Sequence, residues 1–249
     1  MNWTWFHKWG SPKWFFQKTN TLVFWFGYLA LILLVVGTIW GLAFAPEDFK
    51  QGNSFRIFYI HVPAAILAQS IFMAMAISAA VGLIWRMKLA HVFVQVAAPI
   101  GASITLLALF TGAVWGKPTW GTWWVWDARL TSTLVQFFLY LGIISLYQAI
   151  ENRDTASKAT AIACLVGIVN LPIIKFSVNW WNTLHQPATF KLTESPSMPP
   201  EMWVPGLVMV IGFYMFFAFT ATLRMRSEII EREKGSAWVK EYMEKQNVL

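Results

Sequence analysis

The chain has 249 residues, of which 57% are hydrophobic and only 12% are charged, whereas about a quarter of an average soluble domain is charged. This composition excludes an ordinary soluble domain and indicates a protein of the lipid bilayer. The single cysteine, Cys164, excludes an internal disulfide, a C-x-x-C redox pair and the C-x-x-C-H motif of c-type cytochromes.

Hydropathy predicts six transmembrane helices, because six apolar stretches reach the roughly 20 residues that a helix needs to cross a bilayer. They cover residues 22–45, 62–85, 92–115, 130–150, 159–178 and 202–223, within a single domain spanning 1–249. The first stretch is too long, and too poorly followed by a cleavage site, for a removable signal peptide. We therefore expect an all-α polytopic membrane protein.

The distribution of basic residues predicts that both termini lie in the cytoplasm. The N-terminal arm, the second and fourth loops and the tail hold 13 Lys and Arg residues, whereas the opposite loops, which include Lys191, hold 5. Basic residues accumulate on the cytoplasmic side of membrane proteins. The formal charge of +7 is then a signal of topology and of attraction to anionic lipid, and it predicts no binding to nucleic acid.

Two common membrane functions lack the residues that they need. The sequence contains no G-x-x-x-x-G-K-[ST] phosphate loop, since residues 112–118 have one spacer too few and no hydroxyl after Lys117. Apart from Lys175, the six stretches contain no Asp, Glu, Lys, Arg or His. Coupled carriers usually place ionisable groups at mid-membrane, so this argues against ion-coupled transport.

Two of the four histidines are predicted on the outer side. Pro63 suits the first turn of a helix, so His61 is expected at the junction of loop and helix, and His185 lies just beyond the fifth stretch. His7 and His91 are expected on the cytoplasmic side. A lone interfacial histidine is usually structural, but two on one face among aromatic residues are candidates for iron ligands.

Tryptophans dominate the outer loop before the fourth stretch. Four of the seven residues from 120 to 126 are tryptophan, and Trp115, Trp180 and Trp181 lie at the same level. An aromatic belt explains one or two tryptophans at a helix end, but not this density. Indole faces suit a flat apolar ring, so we expect Trp115, Trp120, Trp123, Trp124 and Trp126 to contact such a ligand.

Arg56 and Arg129 share the outer side and could pair with ligand carboxylates, because guanidinium binds carboxylate bidentately. Arg129 could equally pair with Asp127 or with a lipid phosphate. An iron porphyrin held by His61 and His185, with indole walls and arginines at its propionates, accounts for all these features together.

The tail at residues 224–249 alternates charge at helical spacing. Glu228 precedes Arg232, and Glu241 precedes Lys245, by four residues each. A short cytoplasmic helix is predicted here, solvated or docked on a partner.

Residues 120–127 (Trp-Gly-Thr-Trp-Trp-Val-Trp-Asp) resemble the tryptophan-rich motif of the haem-handling proteins. Over residues 22–226 the chain more closely resembles the haem exporter protein C family, also called cytochrome c maturation protein C. The similar motifs are 44–46 (Phe-Ala-Pro), 51–54 (Gln-Gly-Asn-Ser), 61–65 (His-Val-Pro-Ala-Ala), 115–118 (Trp-Gly-Lys-Pro) and 180–186 (Trp-Trp-Asn-Thr-Leu-His-Gln).

The resemblance implies a multi-pass protein of the bacterial inner membrane that binds haem b in the periplasm and catalyses no reaction of its own. His61 and His185 match the family's axial ligands, and Asp127 belongs to its haem-binding motif. The implied partners are a periplasmic haem chaperone, an ATP-binding subunit, a second membrane subunit and a small single-span subunit.

Three other functions remain open from the sequence. A cytochrome b-like electron-transfer subunit would ligate haem from helix interiors, where no histidine is expected here. A transporter that moves haem across the bilayer would need a central polar pathway, and none is visible in the six stretches. A structural subunit with a ligand-free aromatic interface would be isolated without haem.

Overall fold

The computed structural model describes residues 8, 10–186 and 198–245, and these are almost entirely helical. His7 and Lys191, which entered the topology argument, lie outside the described residues. Within the described part, β-structure is limited to an isolated bridge between Asp48 and Gly52.

The helices follow one another with short connections. Helix α1 spans Pro12–Ile39 and continues into a π-helical turn at Trp40–Phe44. A 3₁₀ turn at Asn53–Ile57 leads directly into the next helix. The following helices are α2 at Phe58–Trp85, α3 at Lys88–Trp120, α4 at Ala128–Ala149, α5 at Arg153–Gly167, α6 at Asn170–Trp180, α7 at Pro200–Arg232 and α8 at Ala237–Lys245.

The prediction of a six-helix, all-α membrane protein is confirmed. Within the described residues, six units have the length and hydropathy to cross a membrane, with α5 and α6 together forming one of them. Most of these helices extend beyond the predicted stretches, because helical hydrogen bonding continues through polar residues such as Lys13 and Arg224 at the helix ends. The side of the membrane on which each loop lies stays a prediction.

The fifth membrane segment is not one continuous α-helix. It is interrupted between Gly167 and Asn170, four residues before Pro172. A proline has no backbone N–H, so the carbonyl of Ile168 loses the helical donor that it would have at position 172. The N–H of Leu171 donates to that carbonyl instead, at 3.0 Å.

Helices α2 and α3 form the centre of the bundle. Helix α2 packs against α3, α5 and α7, and α3 packs against α4 and α7 as well. The α2 side chains of Phe58, Tyr59, Phe72 and Met75 are at most 1% exposed. Helix α1 packs mainly on α7 and leaves most of its apolar surface exposed, as expected of a helix that faces lipid.

The tail differs in part from its prediction. Both predicted pairs are confirmed, with Glu228 accepting from Arg232 and Glu241 from Lys245, each at 2.6 Å. Residues 224–232, however, continue α7, and only α8 is a separate short helix. Val239 in α8 is 2% exposed, so this helix packs on the protein and is not fully solvated.

Candidate functional site

A cavity of about 400 Å³ opens between α2, α3, α4 and α6 at the end of the bundle that carries the tryptophan-rich loop. Its volume lies within the range of about 300–1,000 Å³ that is usual for small-molecule sites. Most of its lining is apolar. Six of the predicted site residues line it, namely His61, Trp115, Trp120, Trp124, Arg129 and His185.

The other predicted site residues lie outside this cavity lining. Trp123 and Trp126 are 56% and 76% exposed. Arg56 lines a separate small pocket beside Phe110, and its guanidinium donates to the carbonyl of Ala45 at 3.2 Å. Asp127 is buried at the start of α4.

His61 lies inside a helix, so the prediction that it sits at a loop-to-helix junction is wrong. Helix α2 begins at Phe58, and both His61 and Pro63 are helical. The apolar residues 58–60 pack into the core and extend the helix outward from the predicted start. His91 is also helical, so the expectation that no histidine lies within a helix is wrong as well.

The surroundings of His61 fix its ring. Its Nδ1 lies 3.0 Å from the carbonyl oxygen of Ala108 and 3.1 Å from the hydroxyl of Thr111. The hydroxyl of Thr111 donates to Leu107 at 2.7 Å, so Nδ1 must carry the proton and donate to Ala108. Nε2 is then left as an unprotonated nitrogen, the state that a metal ligand requires.

The backbone of α3 also lies close to this imidazole. A Cβ atom built on Gly112 would lie only 3.0 Å from Cε1 of His61. Glycine at this position therefore lets the ring lie against the α3 backbone. On another side the indole of Trp115 meets His61 edge-on, with ring centroids 5.6 Å apart.

His185 reaches the same cavity from the loop after α6. Its Nδ1 lies 2.9 Å from the carbonyl of Gln186 and 3.3 Å from Nη1 of Arg129. The pKa of His185 is lowered, mainly because the imidazole is buried, and the nearby charge of Arg129 lowers it further. The Gln186 carbonyl and the Asp127 carboxylate raise this pKa in part. The imidazole is therefore neutral at neutral pH, which is the form that binds iron.

Arg129 connects α4 to the α6 end of the cavity. It donates from Nη1 to the carbonyl of Gln186 at 3.4 Å, from Nε to Oγ of Ser177 at 3.3 Å and from Nη2 to the carbonyl of Lys175 at 3.2 Å. These acceptors are all neutral. Arg129 thus remains a cation at the cavity wall without a carboxylate among its described hydrogen-bond partners.

Indoles form much of the remaining wall. Trp120 lies 5.9 Å from the ring of His185, and Trp115 is anchored by a 2.7 Å hydrogen bond to Gln51. Nε1 of Trp124 is buried and has no partner among the described residues. Trp120, the first residue of the tryptophan-rich motif, is the last residue of α3, so only part of the motif is loop.

The sequence prediction missed the polar inner end of the cavity. Gln69, Thr105, Thr133 and Gln136 line it at positions inside membrane helices. Oε1 of Gln136 accepts a hydrogen bond from Nδ2 of Asn170 at 3.2 Å. Nε2 of Gln136 is buried and has no partner among the described residues. Isolated amides within apolar stretches were the available signal, because such groups are costly in lipid and need an internal partner.

The donor set suits a metal that arrives with its own equatorial ligands. No group of three His, Cys, Asp or Glu residues suited to a bare ion occurs in the described ranges. A porphyrin supplies four nitrogens and leaves two axial positions, and two neutral imidazoles in one aromatic cavity match that requirement.

Comparison with known proteins gives a consistent result. The family model described as "Heme exporter protein C" matches residues 5–240. A Haemophilus influenzae protein of that name is 48% identical over 238 residues, covering 96% of this chain and 97% of the relative. The Escherichia coli K12 protein is 47% identical, with 96% of each chain covered. The Bradyrhizobium diazoefficiens protein is 45% identical, covering 91% of this chain and 86% of the relative.

Proposed function

The chain belongs to the heme exporter protein C family, and we propose that it binds haem in the cavity between His61 and His185 and delivers it to a periplasmic haem chaperone during cytochrome c maturation. The observation that carries this proposal is the meeting of two neutral imidazoles, from different parts of the chain, in one indole-walled cavity. Haem b is the cargo of this site and not a resident cofactor. The protein acts in the bacterial inner membrane, with the cavity on the periplasmic side.

Each part of the cavity has a distinct task in this proposal. Nε2 of His61 and Nε2 of His185 bind the iron from the two faces of the ring. Trp115, Trp120 and Trp124 cover the porphyrin faces, where each indole excludes water and contributes dispersion. Arg129 is a cation of the cavity lining and pairs with a propionate, and Arg56 remains a predicted second partner.

Delivery of haem requires other proteins. The proposed complex contains an ATP-binding subunit, a second membrane subunit and a small single-span subunit. The ATP-binding subunit is needed because this chain has no phosphate loop of its own. The exposed indoles of Trp123 and Trp126 lie outside the cavity lining, so we assign their predicted contact with haem to the transfer step, at the surface where a soluble chaperone would approach. The protein binds and hands over haem, and no catalytic residue is assigned.

One observation favours a second candidate function. The sequence argued against a cytochrome b-like electron-transfer subunit because no histidine was expected within a helix. His61 does lie within a helix, so that argument no longer holds. Such a subunit keeps its haem through repeated oxidation and reduction. A delivery protein loses haem to its acceptor, so transfer to purified chaperone separates the two functions.

The test is the absorption spectrum of the purified, haem-loaded protein and of single histidine variants. Wild type is expected to show six-coordinate, low-spin iron. His61→Ala and His185→Ala should each lose the low-spin spectrum, and added imidazole should restore it by filling the vacant position. His91→Ala is the matched control, since His91 is a partly buried helical histidine packed against Gly82 and does not line the cavity.

The ligand assignment fails if His61→Ala and His185→Ala both keep the wild-type spectrum. It also fails if His91→Ala changes the spectrum as they do. Haem that stays on the wild-type protein in the presence of haem-free chaperone would support the electron-transfer function instead.

A further inference from the structure

Asp127, the last residue of the tryptophan-rich motif, is not among the residues that line the cavity. It is 8% exposed and precedes α4 in an extended conformation. Its Oδ1 accepts a hydrogen bond from the backbone N–H of Leu130 at 2.7 Å. One carboxylate oxygen thus caps α4, and the other is available for a separate contact.

The second oxygen connects α4 to the loop that carries His185. Oδ2 of Asp127 accepts the hydroxyl proton of Thr183. Oγ1 of Thr183 accepts in turn from the backbone N–H of His185 at 3.0 Å. Thr183 can make both hydrogen bonds at once, because a hydroxyl has one proton to donate and lone pairs with which to accept.

His185 needs this support in a way that His61 does not. His61 is placed by a helix and by the carbonyl of Ala108. Residues 181–186 are not helical, and the neighbouring side chain of Leu184 is 55% exposed. Two described links therefore hold this loop to α4. Arg129 contacts the His185 ring and the Gln186 carbonyl, and the backbone N–H of His185 is held through Thr183.

We propose that Asp127 is a positioning residue, which acts through Thr183 to hold the backbone of His185 so that its imidazole faces the haem cavity. This inference rests on the proposed function, in which His185 binds the haem iron. It replaces direct contact of Asp127 with haem, because both carboxylate oxygens are already engaged with the chain. A carboxylate beside the propionates would also repel them.

Three variants separate positioning from helix capping. Thr183→Val is nearly isosteric and removes the hydroxyl, while the cap to Leu130 stays. Asp127→Ser keeps a good capping oxygen but has no second oxygen for Thr183. Thr183→Ser keeps the hydroxyl and should rescue.

A matched control removes a helix cap elsewhere. Asn152 caps α5 by accepting from the N–H of Thr155 at 2.9 Å. Asn152→Ala therefore removes a helix cap without changing residues 181–186, the loop that carries His185. A general effect of cap loss on folding would appear in this variant as well.

The readout is the spin state and haem affinity of the purified full-length protein. Thr183→Val and Asp127→Ser should shift part of the iron from low spin to high spin. Loss of such a supporting hydrogen bond typically lowers affinity by about 10- to 100-fold. Added imidazole should restore the low-spin spectrum, which a merely structural defect would not permit. Thr183→Ser and Asn152→Ala should keep the wild-type spectrum.

Wild-type low-spin spectra and affinities in both Thr183→Val and Asp127→Ser would overturn the inference, provided that His185→Ala changes the spectrum. If His185→Ala also leaves the spectrum unchanged, the ligand assignment of the proposed function has failed instead. Should Asp127→Ser be lost from the membrane, Thr183→Val decides alone, since it changes one loop hydroxyl.

Discussion

Gly112 should be sensitive to the smallest substitution available, because α3 touches the His61 imidazole there. A Cβ at this position would lie 3.0 Å from Cε1 of His61, whereas carbon atoms in contact are usually about 3.5–4.0 Å apart. Gly112→Ala must therefore displace the ring by about half an ångström. The displaced ring would be poorly aligned with the iron and with the carbonyl of Ala108.

The size of the effect follows from the cost of turning a side chain. Relief by a rotation of about 30° from the preferred rotamer costs about 0.5–1.5 kcal/mol. Since about 1.4 kcal/mol corresponds to a tenfold change in affinity, haem should bind about 2- to 12-fold more weakly. Alanine also favours a helix over glycine by about 0.5–1 kcal/mol. The protein itself should therefore be nearly as stable as wild type.

Gly142→Ala provides the matched comparison. Gly142 lies in helix α4, and nothing is within 4 Å of a Cβ built there, so this variant has the gain in helix propensity without the contact with His61. Haem titration followed by absorbance, with thermal unfolding of the haem-free protein, measures both quantities. Equal haem affinities in Gly112→Ala and Gly142→Ala would refute the reasoning, because Gly112 would then have no steric role at the iron ligand.

Three further predictions concern the aromatic wall, the topology and the tail. Trp124→Leu should weaken haem binding by about 0.5–1.5 kcal/mol beyond the lost area, whereas Trp126→Leu, at a side chain 76% exposed, should bind haem nearly as wild type does; equal losses in the two would contradict the cavity assignment. In a Cys164→Ala background, a cysteine at position 126 should react with an impermeant thiol reagent in intact cells and one at position 153 should not; labelling at 153 would reverse the predicted topology. Trp238→Ala should expose α8 to proteolysis, because Trp238 and Tyr242 pack against the ring of Phe16; a cleavage rate equal to that of wild type would show that these contacts do not hold α8.

The hydropathy pattern was sufficient to predict the number and approximate position of the membrane helices. An apolar run long enough to cross a bilayer has few alternatives to a helix, because every backbone polar group must find a partner inside the segment. Helix ends were less predictable. The sequence alone does not show that residues 58–60 pack in the core and belong to the helix. The predicted start of α2 was therefore too late, and His61 was wrongly placed at the helix boundary.

The types of residue in the site were also visible in the sequence, because an aromatic belt explains one or two tryptophans at a helix end but not four in seven residues. Their arrangement was not. Trp120 and Trp124 face the cavity while Trp123 and Trp126 are exposed, although all four share one motif. The direction of each indole depends on where α3 ends, since the left-handed backbone of Gly121, at a φ of 80°, changes the course of the chain within the motif.

Only the tertiary structure decided which distant groups meet. Asp127 and Thr183 are 56 residues apart in sequence and share a hydrogen bond, and Gly112 fits against His61 through the packing of α2 on α3. Such contacts depend on the rotation of each helix about its own axis and on the path of the loops. Hydropathy does not encode either property, because lipid and a neighbouring apolar helix offer a side chain nearly the same environment.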